Sequence, residues 1–285
     1  MPHSFQKRQH IRNTIRRFSF NQLIPNILTT IGLCAGLNSM LFAIHERFQM
    51  AAIALLIAAF IDGLDGRVAR LLHGSTQFGA EFDSLSDFLC FGIAPPFLLY
   101  FWAFKNSNPH TFLSCILFSV CMAFRLARFN VTLNDQPFKP QYTRNFFVGV
   151  PAPAGAGLAL FPLFLGLEAQ KLHINWLYDF TQQPWVPCLT LTGTALLLIS
   201  TLPVWSLKSF KIPRRYILPI MICIGIYAFI FITDLWAALT AAGLIYIFLL
   251  PFSRWHFLKL KNQFEAEQHA SPTRSNVLLP FKQRP

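Results

Sequence analysis

The sequence predicts an all-α integral membrane protein, a polytopic bundle of about eight transmembrane helices. Its 285 residues are 54% hydrophobic and only 13% charged, with a mean hydropathy of +0.44. This composition is far too apolar for one soluble domain of this length. The apolar residues form continuous runs of about 20 residues, which is the length that crosses a membrane as a helix. They do not form the short alternating segments that are typical of membrane β-barrels.

The apolar runs give eight candidate spans. We place them near 23–43, 50–72, 81–104, 110–128, 147–167, 186–206, 214–233 and 235–253. Only Thr233 and Asp234 separate the last two runs. A single helix across both would measure about 60 Å at 1.5 Å per residue, twice the thickness of the hydrocarbon core. We therefore expect a tight helical hairpin there.

The spans divide the chain into four regions. Residues 1–22 form a basic arm, in which 5–20 are expected to make an amphipathic interfacial helix with Ile11, Ile15 and Phe18 on one face. Residues 23–206 form the membrane core, and 207–254 add two further spans. The polar tail at 255–285 is expected to be disordered.

The distribution of basic residues predicts the orientation in the membrane. With eight spans and a cytoplasmic N-terminus, all but three of the 24 Lys and Arg residues lie on the cytoplasmic side, the exceptions being Arg47, Lys105 and Lys171. This bias is what the positive-inside rule requires. The net charge of +12 comes from short clusters between apolar runs, which suits anionic lipid headgroups, and we expect no nucleic-acid partner.

Four aspartates stand out in this apolar chain: Asp62, Asp65, Asp83 and Asp87. They make up a third of the 12 acidic residues and fall within one stretch of 26, at the cytoplasmic ends of the second and third predicted spans. Carboxylates beside hydrocarbon are costly unless they line a wet cavity, pair, or bind cations. The stretch is therefore the first candidate for a functional site.

The spacing of the aspartates indicates a metal site. Asp62 and Asp65 are three residues apart, and Asp83 and Asp87 are four apart, so each pair projects from one face of its helix. A short reversal around Gly74 and Gly79 brings the two helix ends together. Carboxylates that face one another repel and do not all ionise without cations. Oxygen ligands favour magnesium, manganese or calcium, and two divalent ions would balance the charge.

Small and basic residues follow the first aspartate pair. Gly66 and Ala69 leave a groove along the helix where a bulky ligand can approach the backbone. Arg67 and Arg70 supply positive charge for a phosphate. Each feature alone also suits a helix cap, helix packing or the positive-inside rule. Together they point to phosphoryl chemistry on a nucleotide.

The same residues resemble one known family closely. The stretch D-G-L-D-G-R-V-A-R, eight residues, then G-A-E-F-D-S-L-S-D meets every fixed position of the CDP-alcohol phosphatidyltransferase pattern D-x2-D-G-x2-A-R-x8-G-x3-D-x3-D. The resemblance implies a helical membrane enzyme that transfers a phosphatidyl group from a CDP-linked lipid to an alcohol and releases CMP. It implies that the four aspartates bind Mg²⁺ or Mn²⁺, that Asp87 is also the base, and that Gly66, Ala69 and Arg70 bind the nucleotide.

Within this family the chain resembles the members that use serine. The residues after Asp83 read D-S-L-S-D-F-L-C-F-G-I-A-P-P, and a second block, R-L-A-R-F-N followed by F-V-G-V-P-A-P-A, also resembles those members. The resemblance implies CDP-diacylglycerol and L-serine as substrates. An arginine at the end of the fourth span, Arg125 or Arg128, could pair with the serine carboxylate, and Asn130 could add a hydrogen bond. Alternatively, both arginines hold lipid phosphates.

Other functions stay open at this point. The acceptor could be glycerol 3-phosphate or an inositol phosphate. A transporter of metals or metabolites would also need intramembrane acids, although it would carry them near mid-span rather than at one face. An inactive scaffold would not need the intact pattern. We expect an enzyme of the bacterial inner membrane, with both termini and the active site in the cytoplasm. Its other partners would be membrane lipids. Whether the protein forms a homodimer is left open.

Overall fold

The computed structural model describes residues 20–72, 76–105, 107–134, 146–200, 203–205 and 214–270. The described part of the chain is helical except for one small sheet. The amphipathic helix expected at 5–20 lies outside these ranges, except for its last residue. The elements are α1 Phe20–Ile44, α2 Phe48–Leu71, α3 Gln77–Phe104, α4 Phe112–Asn134, β1 Phe146–Val148, α5 Ala152–Ala159, α6 Phe161–Lys171, α7 Asn175–Gln182, α8 Trp185–Ile199, β2 Pro203–Trp205, α9 Ile217–Thr233 and α10 Leu235–Ala270.

Five of the described helices are long and apolar enough to cross a membrane: α1, α2, α3, α4 and the first half of α10. The pair α5 and α6 is bent by 47° and makes a sixth if it is counted as one span. Helices α8 and α9 are apolar but shorter, with 15 and 17 residues. The described part of the chain is therefore helical with five or six candidate spans, as the composition predicted in outline, and the expected count of about eight stays a prediction.

Helix α3 changes its geometry directly after the last aspartate. It is α-helical to Asp87, π-helical over Phe88–Ile93, α-helical again over Ala94–Leu99, and π-helical over Tyr100–Phe104. Pro95 and Pro96 cause the change, because a proline has no N–H to donate to the carbonyl four residues before it. The carbonyl of Gly92, four residues before Pro96, accepts instead from Ser119 Oγ of α4 at 2.8 Å. This bond ties α4 to the segment that carries the aspartates.

Helices α1, α2 and α3 pack together and position that segment. Helix α1 crosses α3 at Gly36, where a Cβ atom would lie 2.6 Å from Cys90 Sγ. A side chain at Gly36 would therefore push the two helices apart. The Cys90 thiol also approaches the carbonyl of Gly32, at 3.7 Å. This close contact brings the polar start of α1 against the aspartates of α2 and α3.

The main apolar core lies between α3, α4, α5, α6 and α8. Its largest fully buried side chains include Leu98, Phe118, Met122, Leu163 and Leu191. Deletion of one such side chain typically costs about 2–5 kcal/mol of folding free energy, because a cavity remains. The outward faces of the helices are also apolar, as expected where lipid replaces water.

The fifth and sixth spans differ from their predicted bounds. Residues 147–151 are not helical, since β1 and Pro151 precede α5, and Pro162 bends the chain between α5 and α6. The predicted sixth span at 186–206 ends as a helix at Ile199. Ser200 is extended there, and Pro203–Trp205 forms β2, which pairs antiparallel with β1. Helix α7 was not predicted, because its eight residues are too short and too polar to register as a span.

The last helix is longer than the final predicted span. It continues through Ala270, so 255–270, which we assigned to a disordered tail, are helical. The residues from His256 to Ala270 include neither Gly nor Pro, and nothing in them stops a helix before Ser271 and Pro272. The expected hairpin before it is present: α9 ends at Thr233, α10 starts at Leu235, and Tyr227 of α9 donates to the carbonyl of Ala238 in α10.

Two ion pairs lie at the helix ends opposite the aspartates. Lys105 Nζ contacts Glu46 Oε1 at 2.6 Å, and the Lys105 hydrogen bond lowers the pKa of Glu46. Lys171, at the end of α6, pairs with Asp234 at the start of α10. Two of the three basic residues expected on the far side of the membrane therefore have acidic partners there.

Candidate active site

Three of the four aspartates come together between α2 and α3. Asp62, Asp83 and Asp87 each offer a carboxylate oxygen within 4.8 Å of the others, and all three side chains are partly buried. Asp83 and Asp87 share a face of α3 because they are one helical turn apart. Asp62 approaches from the neighbouring helix α2. Such a group of oxygens has the spacing of a metal site.

The fourth aspartate is held separately by the first helix. Asp65 is only 4% exposed and its Oδ2 accepts a hydrogen bond from Thr29 Oγ1 at 2.8 Å. The Thr29 hydroxyl also lies 3.1 Å from the carbonyl of Pro25. The α1 residues were missed at the sequence level. The signal that could have revealed them is the polar run P-N-I-L-T-T inside an otherwise apolar span.

The residues present fit a divalent cation. Asp83 Oδ1 is buried and has no hydrogen-bond partner among the described residues. A buried carboxylate oxygen without a partner is costly, and a cation removes that cost. A small cavity of about 10 Å³, about the size of one water or ion, is lined by residues that include Asp62, Asp65 and Asp87. Carboxylate oxygens as the ligand set favour Mg²⁺ or Mn²⁺ over softer metals.

A larger cavity of about 220 Å³ opens beside the carboxylates. It lies between α1, α2 and the start of α3. The space over Gly66 is open, since a Cβ atom there would meet nothing within 4 Å. The cavity is lined by Pro25, Asn26, Thr29, Asp65, Gly66, Ala69, Arg70, Thr76, Gly79, Ala80 and Asp83. It therefore joins the predicted small-residue groove to two of the four aspartates.

Of the two arginines in this stretch, only one lines the large cavity. Arg70 lines the cavity, and its Nε donates to the carbonyl of Gly66 at 2.9 Å. Arg67 is exposed and does not line the cavity. The reason is helical geometry, because Arg67 follows Gly66 by one residue and so lies about 100° around the helix. The groove thus gains one guanidinium rather than two.

Arg125 lies next to the aspartates, on the α4 side. Its Nε donates to the carbonyl of Val150 at 2.6 Å, and its guanidinium lies 6.0 Å from the centre of the Phe129 ring. It interacts electrostatically with Asp87. Arg125 is thus positioned by the block F-V-G-V-P, and it does not line the large cavity.

Arg128 contacts backbone instead. Its Nη1 donates to the carbonyl of Ile199 at 3.1 Å, and Nη2 lies 3.5 Å from the carbonyl of Ser200. These are carbonyls at the end of α8, where a cation is favourable because the last turn carries a partial negative charge. Gly149 adopts a φ of +79°, and a Cβ atom on it would lie 3.1 Å from Arg128 Nη2 and 2.9 Å from the carbonyl of Ser200. Only glycine suits this junction.

Asn130 links α4 to α3 rather than standing alone. Its Nδ2 donates to Ser84 Oγ at 2.9 Å, and Ser84 Oγ donates in turn to the carbonyl of Ala80. Ser84 directly follows Asp83 in the chain. The bond therefore fixes the end of α4 against the helix turn that carries the carboxylates.

We expect Thr29→Val to weaken metal binding by about 10- to 100-fold, the usual cost of losing a partner that orients a metal ligand. The change keeps the shape of the side chain but removes the hydrogen bond to Asp65. Titration of the purified protein with Mn²⁺ in a calorimeter measures it.

Thr30→Val is the matched control, since the Thr30 hydroxyl is exposed and donates only to the carbonyl of Asn26 in its own helix. An unchanged Mn²⁺ affinity in Thr29→Val would show that Asp65 does not need this contact.

Comparison with known proteins identifies the family. The sequence profile of the CDP-alcohol phosphatidyltransferases matches residues 22–181, and that of a second group, CDP-alcohol phosphatidyltransferase 2, matches 215–251. Relatives named CDP-diacylglycerol–serine O-phosphatidyltransferase include one from Mycobacterium leprae, 36% identical over 82% of this chain and 76% of its own. Another, from Helicobacter pylori, is 31% identical over 87% of this chain and 97% of its own.

The region matched by the family profile contains the four aspartates of the site, the residues that line the large cavity, and Arg125. The resemblance drawn from the aspartate spacing is therefore confirmed by similarity along most of the chain. This chain belongs to the CDP-alcohol phosphatidyltransferase family.

Proposed function

We propose that this protein transfers the phosphatidyl group of CDP-diacylglycerol to L-serine and releases CMP, the reaction for which its relatives in Mycobacterium leprae and Helicobacter pylori are named. The observation that carries the proposal is the group of three carboxylates within 4.8 Å of one another beside a cavity of about 220 Å³. A nucleotide diphosphate needs both a cation site and room next to it.

The large cavity would take the CDP portion of the donor. Gly66 and Ala69 leave space for it, and Arg70 supplies a positive charge for its phosphates. Arg67 is exposed and would meet phosphates only at the membrane surface. Asn26 and Thr76 add polar groups to the wall, which suits a ribose or a base rather than an acyl chain. The acyl chains would then extend between the helices into lipid.

The four aspartates would hold two divalent ions, Mg²⁺ or Mn²⁺. Asp62, Asp83 and Asp87 form the close group, and Asp65 joins them from the α1 side. When bound, such ions neutralise the charge that develops on the phosphate oxygens and on the leaving group.

Asp87 would act as the base. It takes the proton from the serine hydroxyl while the serine oxygen forms a bond to the phosphorus that carries the diacylglycerol. The bond between that phosphorus and the bridging oxygen of the diphosphate breaks, and CMP leaves with that oxygen. An in-line displacement needs the acceptor opposite the leaving group. Asp87 does not line the large cavity and interacts electrostatically with Arg125 of α4, so it suits the acceptor.

Arg125 would bind the serine carboxylate. It interacts with Asp87, and its bond to Val150 uses Nε, which leaves the two terminal nitrogens for a bidentate contact. Arg128 is the weaker candidate, because its terminal nitrogens contact the end of α8. Asn130 would contribute through its side-chain oxygen, since its nitrogen donates to Ser84.

We expect Arg125→Ala to raise the serine KM by about 10- to 150-fold, the cost of losing a charge-assisted contact of about 1.5–3 kcal/mol. The KM for CDP-diacylglycerol should change little, and Arg125→Lys should restore only part of the loss because Lys lacks the planar fork. Steady-state kinetics with each substrate varied in turn measures both constants.

Arg128→Ala provides the contrast. It should lower the melting temperature by removing the contacts with Ile199 and Ser200, and leave the serine KM near that of the parent. If Arg125→Ala instead weakened CDP-diacylglycerol binding and left the serine KM unchanged, Arg125 would hold a lipid phosphate.

The chain would cross the inner membrane of a bacterium eight times, with both termini and the active site in the cytoplasm. The ion pairs of Lys105 and Lys171 lie at the helix ends opposite the carboxylates, which suits this arrangement. Protease cleavage of the tail in inside-out but not right-side-out vesicles would support it, and the reverse pattern would exclude it. A homodimer, which the sequence leaves open, is tested by the mass of the protein in lipid nanodiscs.

The proposed function is tested with purified protein, CDP-diacylglycerol and Mn²⁺, together with a panel of acceptors. L-serine should release CMP, whereas glycerol 3-phosphate, inositol phosphate and ethanolamine should release little. If only glycerol 3-phosphate released CMP, the family assignment would stand, but glycerol 3-phosphate rather than L-serine would be the acceptor. Absence of CMP release with every acceptor would contradict the whole assignment.

A further inference from the structure

The last span carries a buried hydroxyl group that no function described so far uses. The oxygen of Tyr246, on α10, is shielded from solvent and has no hydrogen-bond partner among the described residues. Its ring packs against the apolar core. A buried hydroxyl without a partner is uncommon, and it calls for an explanation such as a ligand that completes it.

Tyr246 interacts electrostatically with Arg125, although 120 residues separate them in the chain, and Arg125 interacts electrostatically with Asp87. The backbone supports the same placement, because α10 packs against β2, and β2 pairs with β1, which leads directly to Val150. The Val150 carbonyl is the group that orients Arg125. The last span therefore reaches the α4 side of the carboxylates.

The α4 side of the carboxylates is suited to binding the acceptor rather than the nucleotide. Tyr246 and Arg125 do not line the large cavity, which α1, α2 and α3 enclose. A guanidinium that keeps its two terminal nitrogens and a nearby phenolic hydroxyl form a donor set for one carboxylate. An aliphatic alcohol without a carboxylate would leave both donors unsatisfied.

We propose that Tyr246 is a specificity-determining residue of the acceptor pocket, where its hydroxyl donates a hydrogen bond to the carboxylate of the amino-acid acceptor that Arg125 binds. The inference rests on the proposed function, and it gives the C-terminal helical hairpin a role in recognising the acceptor. The hairpin would supply one wall of the pocket, and the α3 and α4 segments that carry Asp87 and Arg125 would supply the other.

Tyr246→Phe tests the proposal because it removes a single oxygen atom. We expect the serine KM to rise about 10-fold or more, with kcat and the KM for CDP-diacylglycerol near those of the parent. The melting temperature without serine should not fall, because the hydroxyl has no hydrogen-bond partner in the described part of the chain. The rise in melting temperature that serine causes in the parent should become smaller.

Tyr227→Phe is the matched control in the same hairpin. Its hydroxyl donates to the carbonyl of Ala238, so the variant should be less stable while its serine KM stays normal. If the serine KM of Tyr246→Phe were unchanged, or if the KM values for serine and CDP-diacylglycerol rose equally, only the role of Tyr246 would be overturned. Absence of serine-dependent CMP release in the parent would overturn the proposed function, and this inference with it.

Discussion

Asp87→Asn should reduce phosphatidyl transfer by at least about 1,000-fold. The change removes the proposed base, a contribution of about 100- to 10,000-fold by itself, and also one oxygen of the carboxylate group formed with Asp62 and Asp83. The fold should survive, since asparagine has the same shape as aspartate and carries no charge into a partly buried position. Release of CMP from CDP-diacylglycerol in the presence of serine measures the loss.

Glu81→Gln is the control for this variant. Glu81 lies on the same helix, is exposed, and does not line either cavity. It should keep the turnover of the parent. If Asp87→Asn also kept near-normal turnover while its binding of CDP-diacylglycerol was intact, Asp87 could not be the base.

Removal of divalent cations should have an effect of similar size. We expect EDTA to lower the turnover by at least about 100-fold, because several kcal/mol of transition-state stabilisation would be lost. Mg²⁺ or Mn²⁺ should restore activity. The carboxylates repel one another, and the buried Asp83 Oδ1 has no hydrogen-bond partner within the described ranges, so the cation should also stabilise the fold.

The melting temperature separates a cation at this site from a general salt effect. Mn²⁺ should raise the melting temperature of the parent and of Glu81→Gln, whereas Asp83→Asn should show a smaller rise. Full activity in buffer treated to remove metals would exclude the two-ion site. An equal rise in Asp83→Asn would place the cation elsewhere.

The aspartate group could be predicted from sequence because its geometry is mostly local. Spacings of three and four residues fix which side chains share a helix face, and the short connection between α2 and α3 brings the faces together. The membrane setting was equally clear, since long apolar runs have few alternatives. In both cases a short-range rule determines the structure.

The partners of the site residues could not be predicted in the same way. The bond from Thr29 to Asp65 spans 36 residues, and the contacts of Arg128 with the end of α8 span more than 70. These depend on how the helices pack, and an arginine that caps a helix looks in sequence like an arginine that binds a ligand. The placement of Tyr246 near Arg125 has the same origin.

The boundaries of the later spans were wrong for a different reason. Hydropathy does not distinguish an apolar helix from apolar chain in another conformation, so Pro203–Trp205 was included in a helix although it forms β2. Proline residues are the local signal in the sequence for where these helices begin, end or bend. Pro151 ends the non-helical segment before α5, Pro203 begins β2, and Pro162 marks the bend between α5 and α6.

The most direct test of the proposed reaction follows the serine itself into lipid. Purified protein is incubated with CDP-diacylglycerol, Mn²⁺ and isotopically labelled L-serine, and the extracted lipids are analysed by mass spectrometry. We expect labelled phosphatidylserine in an amount equal to the CMP released, and at least about 1,000-fold less of both products from Asp87→Asn. CMP released without any labelled lipid, or label in a lipid other than phosphatidylserine, would contradict it.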